Sequence, residues 1–104
     1  MRKILAALAL LAFRPAGAGG IPAERQAALL NLLQQDCGSC HGLARKGGLG
    51  PPLLPENLAG KSDASLTDTI LNGRSGTAMP PWRSFFSPEE AAWLVRQLRK
   101  NPQR

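Results

Sequence analysis

Apolar residues fall into four stretches separated by Gly- and Pro-rich sequence. The first, Ile4 to Phe13, is an unbroken apolar run of ten, preceded by Arg2 and Lys3 and followed by Arg14 and the small residues Ala16-Gly17-Ala18. That order predicts a secretory signal peptide over residues 1–18, cleaved near Ala18. A retained membrane anchor is the alternative, but the run is well short of the roughly 20 apolar residues that span a bilayer. The second stretch places Ala27, Leu29, Leu30, Leu32 and Leu33 on a broad face at helical spacing, which predicts a helix over 22–36. Pro22 suits its first turn and Glu24 its positive end. From Gly42 to Pro55 the density of Gly and Pro predicts loop, and Pro55 to Leu58 a single helical turn. The third stretch aligns Leu66, Ile70 and Leu71 on one helical face, with Ser62 or Asp63 as the cap and Gly73 as the stop. Gly73 to Pro81 reads as loop. In the fourth, Ser87-Pro88-Glu89-Glu90 predicts a capped helix start, and Trp93, Leu94 and Leu98 form its inward face to about Lys100. No stretch alternates apolar and polar residues, so the pattern predicts an all-α fold of three main helices joined by long loops.

The chain has 104 residues, which allows one domain, expected over 19–104. Without residues 1–18 it keeps ten of its thirteen Lys and Arg and all seven acids, so its formal charge falls from +6 to +3. The high isoelectric point is thus partly a property of the leader. With no basic run interleaved with aromatics, nucleic-acid binding is not supported. Arg96, Arg99, Lys100 and Arg104 make a basic end that could steer an acidic partner, although cations there also suit the helix dipole. A domain this small has a marginal core and needs a staple. Its two cysteines sit in one tight motif and cannot tie distant segments together by a disulfide.

That motif is Cys37-Gly38-Ser39-Cys40-His41, or C-x-x-C-H, the attachment signature of c-type haem. Two thiols three residues apart can add to the two vinyl groups on a porphyrin edge, and the next residue then offers an imidazole to the iron. The small residues Gly38 and Ser39 would let the backbone lie close to the ring. A thioredoxin-like redox pair would normally accompany a βαβ pattern, and a zinc site would need a fourth ligand beyond Cys37, Cys40 and His41. A thiol-disulfide enzyme, which needs both thiols free, is the remaining alternative. His41 is the sole His, and its place directly after Cys40 makes it a candidate iron ligand. Its second ring nitrogen needs a partner. The carbonyl of Pro51 is the candidate, and an ordinary proline turn is the competing reading.

Met79 is the only Met beyond Met1. A lone Met is commonly core filler, but Gly76-Thr77-Ala78-Met79-Pro80-Pro81 is a stiff, polar loop that suits a thioether ligand to haem iron. With His41 and Met79 both bound, the iron would have no open position for a substrate, so the expected activity is electron transfer and not enzymatic catalysis. Trp82 could donate its indole N–H to a haem propionate, with ordinary packing as the alternative. Trp93 is expected to cross the first helix near Leu30 or Leu33.

The order helix, C-x-x-C-H, Gly-Pro turn, middle helix, Met-Pro loop and final helix resembles the class I cytochrome c fold over residues 21–100. Asp36 to Gly42, Gly47-Gly48-Leu49-Gly50-Pro51, Ile70 to Arg74 and Gly76 to Trp82 together resemble the cytochrome c55X family, found with cytochrome cd1 nitrite reductase in denitrifying bacteria. The resemblance implies one haem c on Cys37 and Cys40, His41 and Met79 as axial ligands and Pro51 as the carbonyl partner of His41. It also implies a monomeric periplasmic carrier, without a membrane span, serving nitrite reduction through redox partners such as cytochrome cd1. The alternative it implies is a protein that binds haem d1 or helps to assemble it into that reductase.

Overall fold

The computed structural model describes residues 20–100. The expected signal peptide and Arg104 lie outside the described residues. Helix α1 spans Ala23–Leu32 and continues through one wide π turn, Leu33–Cys37, into α2, Gly38–His41. A single turn, α3, spans Pro55–Leu58; α4 spans Asp63–Asn72 and α5 Pro88–Leu98. There is no strand among the described residues, in keeping with the all-α expectation.

The first helix departs from its expected range at both ends. Pro22 precedes the helix as its cap, its carbonyl accepting from Gln26 N at 2.9 Å. At the far end the helix runs through the cysteine motif. The Gly38 amide reaches back five residues to Leu33 O, so the chain widens by one residue per turn and does not break. Only Leu29 and Leu33 are buried from the expected apolar face, while Leu30 is 44% exposed.

The other helices begin and end where local chemistry directs. Ser62 Oγ accepts from Ser65 N at 3.0 Å to start α4, and Gly73, at φ 71°, ends it. Ser87 and Glu90 form a reciprocal capping box, each side chain accepting from the other's amide at 3.0 Å. Leu29, Leu94 and Val95 are the largest fully buried side chains, with Leu33, Leu58, Leu71, Phe86, Ala91 and Leu98 around them. Val95 is thus a core residue that the helical pattern did not single out. Trp93, expected to face inward, is only half-buried at the edge of this core, as are Leu66 and Ile70.

Two arginines tie the ends of α5 to the rest of the chain. Arg25 of α1 donates to both carboxylate oxygens of Glu90, at 2.8 and 3.1 Å, and to Phe85 O at 3.0 Å. Arg99 donates to Asp63 Oδ1 at 2.8 Å, Leu58 O at 3.0 Å and Lys61 O at 2.6 Å. The basic end expected at the C-terminus of α5 is therefore not wholly free: Arg99 is a clamp on α3 and the start of α4.

Glu90 sits below the usual carboxylate range, chiefly because Arg25 hydrogen-bonds it, with Ser87 N adding to the effect. A depressed folded-state value stabilises the fold above the ordinary carboxylate range, and that contribution disappears as pH falls through the folded value. The stability gap between wild type and Glu90→Gln should therefore close as pH is lowered below about 4.3, measured by urea unfolding. Ser87→Ala should cost about 1 kcal/mol and lower the melting temperature by about 4–8 °C in calorimetry.

Candidate haem site

Cys37, Cys40 and His41 lie within one turn of each other because the helix carries all three. Both cysteines are free and half-buried. Ser39 points its hydroxyl to Asp36 O at 2.8 Å and so holds the widened turn. Gly38 is buried, and a Cβ there would lie 3.0 Å from Leu43 Cδ2. Its smallness thus serves contact with the chain's own Leu43.

The loop from Gly42 to Leu53 folds back over the end of α2. Gly47 N donates to His41 O at 2.8 Å and Gly50 N to Cys40 O at 2.7 Å, satisfying carbonyls that a helix end leaves without partners. This fold-back brings Pro51 O to 2.7 Å from His41 Nδ1. The proton then sits on Nδ1, and Nε2 is the ring nitrogen with a lone pair to give to a metal. Gly50 lies flat against the imidazole: a Cβ there would fall 2.8 Å from Cε1 and 2.9 Å from Nδ1. Sequence inspection treated Gly50 as a loop former and missed this contact; the density of glycine just before Pro51 was the available signal.

Met79 is placed by a second loop fastened to the end of α4. Arg74 N donates to Met79 O at 3.1 Å, and Met79 N donates to Thr77 Oγ1 at 3.2 Å. Trp82 N then donates to Ile70 O at 2.9 Å. Gly73 does more than stop α4: a Cβ on it would meet Met79 O at 2.7 Å and Pro80 C at 2.8 Å, so the Met79-Pro80 backbone can pass only over a glycine. Trp82 is half-buried, stacked on Phe86 with ring centroids 5.8 Å apart and tilted against Phe85 at 5.4 Å.

Cys37 is pushed up to about 11, first by burial and then by Asp36, against the opposing pull of Arg45. Its thiol is neutral at pH 7, unlike the low-pKa attacking thiol of a disulfide oxidoreductase. No cluster of three or more His, Cys, Asp or Glu among the described residues could hold a metal by itself. The donor set does fit a haem: two free thiols on one helical face, an imidazole with Nδ1 committed and a thioether on a loop fastened to α4.

An all-helical chain whose first helix ends in C-x-x-C-H is a class I c-type cytochrome. The family model described as cytochrome c oxidase, cbb3-type, subunit III, matches residues 16–96. Cytochrome c55X of Stutzerimonas stutzeri is 52% identical over 94 residues, covering 90% of this chain and 83% of that one. Cytochrome c55X of Pseudomonas aeruginosa is 58% identical over 76 residues; these cover 73% of this chain and 64% of that protein's length. Among solved structures, the c-type cytochrome NirC matches with TM-score 0.75 and 56% identity, over 76% of this chain and 93% of that one. Dihydro-heme d1 dehydrogenase NirN in complex with DHE matches with TM-score 0.66 and 39% identity, over 72% of this chain but 16% of that one. The chain belongs to the cytochrome c family, within its cytochrome c55X group, and its cofactor is covalently attached haem c. The relatives that it covers over most of their length are named cytochromes and not enzymes.

Gly50→Ala should push the imidazole off the Pro51 carbonyl. The expected outcome is a c-type haem that is still attached but has a weakened, pH-sensitive low-spin spectrum. A spectrum identical to wild type across pH would show that the close approach has no bearing on ligation.

Proposed function

We propose that this chain is an exported periplasmic mono-haem cytochrome that carries single electrons in dissimilatory nitrite reduction. Cys37 and Cys40 would hold the porphyrin by thioethers, and His41 and Met79 would be the side chains that bind the iron. Haem supplies the one-electron ferric–ferrous couple. The observation that carries the reading is the 2.7 Å contact between His41 Nδ1 and Pro51 O, on the residue directly after Cys40. It commits Nδ1 to the carbonyl and leaves Nε2 as the ring nitrogen that would bind the iron.

The chain's own residues then account for transfer without catalysis. His41 is held by the Pro51 and Gly50 backbone, and Met79 by Arg74, Thr77 and Gly73. Ligands anchored through the backbone keep their geometry in both oxidation states, which keeps reorganisation small. No helix among the described residues is long and apolar enough to cross a membrane. With residues 1–18 removed as a signal peptide, the product would be a monomeric carrier. Cytochrome cd1 nitrite reductase is the redox partner that the kinship with cytochrome c55X suggests.

Met79→Ala tests the ligation. It should open a coordination position, lower the potential, since Met/His ligation raises it, and move the ferric spectrum toward high spin. An unchanged spectrum would remove Met79 from the iron. The mass of the exported protein should exceed that of residues 19–104 by one haem.

A second reading is favoured by one observation, the likeness to part of the dehydrogenase NirN, solved with DHE. In it the chain binds haem d1 or helps to load it into the reductase. Deletion of the gene separates the two. A reductase that is fully loaded with haem d1 but slowly reduced supports the carrier; a reductase lacking haem d1 supports the assembly role.

A further inference from the structure

Arg45 follows the motif by four residues, and its side chain has no ion pair among the described residues. Its backbone lies in the left-handed region at φ 62°, where a non-glycine residue is strained. Two hydrogen bonds hold it there, Arg45 N to Gly42 O and Leu53 N to Arg45 O, each 2.9 Å. The side chain turns inward from the loop and lines a small cavity with Leu33, Cys37, His41, Leu53 and Leu98. Its Nη1 is buried there with no hydrogen-bond partner.

The ion pairs among the described residues join Arg25 to Glu90 and Arg99 to Asp63, and neither involves Arg45. The cavity, about 10 Å³, has room for one water and not for a carboxylate. Cys37 lines the same cavity as the Arg45 side chain. Its sulfur, neutral at pH 7 as a thiol and neutral as a thioether, cannot offset the guanidinium. A partly buried positive charge with no ion-pair partner among the described residues therefore lies beside Cys37, in a medium that screens it less than water does.

Resting on the haem attachment proposed above, we infer that Arg45 sets the reduction potential of this cytochrome by holding a fixed positive charge against the Cys37 edge of the haem. Ferric haem carries one more positive charge than ferrous haem. The guanidinium raises the energy of the ferric state more and so shifts the couple toward reduction. It offers no lone pair to a metal, so it acts through its charge alone. The strained backbone is consistent with this, since the left-handed turn directs the side chain under the loop and away from solvent.

The test is a redox titration of the holoprotein and four variants. Arg45→Gln removes the charge and keeps much of the shape. Arg45→Gly removes it and also relieves the left-handed backbone, so its folding is secure. Arg45→Lys keeps the charge. Lys46→Gln removes the exposed charge next door. Covalent haem and the low-spin spectrum are checked first in each. Arg45→Gln and Arg45→Gly should lower the ferrous-to-ferric ratio at a fixed poise by about tenfold, equivalent to about 59 mV for one electron. Arg45→Lys should stay within about a factor of two to three of wild type, and Lys46→Gln should change less than either neutral Arg45 variant. Wild-type potentials in both Arg45→Gln and Arg45→Gly, or an equal fall in Arg45→Lys, would overturn the inference while leaving haem attachment intact. A wild-type chain without covalent haem would sink the attachment itself.

Discussion

Helix α5 is the part on which the remainder of this small protein leans. Its buried face, Ala91, Leu94, Val95 and Leu98, is the largest contribution of any element to the core. Its two ends are gripped by side chains from elsewhere: Glu90 by Arg25, and Arg99 by its own reach to Asp63, Leu58 and Lys61. Burial supplies most of the driving force, and the polar clamps select the crossing geometry from among many ways of stacking short amphipathic helices. Glu90 serves twice, capping its own helix and receiving Arg25, so local and long-range order meet at one carboxylate.

From that frame the site is built by continuity and by fold-back. The helix whose Leu29 and Leu33 enter the core is the same helix that ends in Cys37, Cys40 and His41. Placing the core residues therefore places the motif. The π turn from Leu33 to Cys37 carries the helix from its core residues into the motif, and Cys37 itself packs against the core. Two loops rich in Gly and Pro then return over the helix ends, one bringing Pro51 O to His41 and the other fastening Met79 to α4. In both, backbone lies against a side chain or another backbone at distances that leave no space for a Cβ, at Gly50 and at Gly73. Stiff loops of this kind hold potential ligands still, which is what one-electron transfer asks of them.

Much of this was readable from residue order. Helical spacing, the Ser62 and Ser87 caps, the Pro55 turn and the Gly73 stop located each element to within a few residues, because each depends on interactions three or four residues away. The C-x-x-C-H spacing named the chemistry for the same reason. Other features were not readable in this way. The helix was expected to end at residue 36, since no local rule announces a widened turn. Leu30 was expected inside, and which of two adjacent leucines is buried depends on where α5 crosses.

The ion pairs that only the folded chain decides join residues far apart in sequence. The Arg25–Glu90 and Arg99–Asp63 pairs span 65 and 36 positions. Arg99 read as a free basic end, and only its neighbours in space make it a clamp. Arg45 read as one more loop cation, and only the walls around its guanidinium mark it as a partly buried charge with no ion pair among the described residues. Short-range patterns determined the class, the cofactor and the helices, because hydrogen-bonding period and thiol spacing are properties of neighbours along the chain. Burial, charge pairing and the closeness of glycine to imidazole are properties of neighbours in space, and these the tertiary structure alone decided.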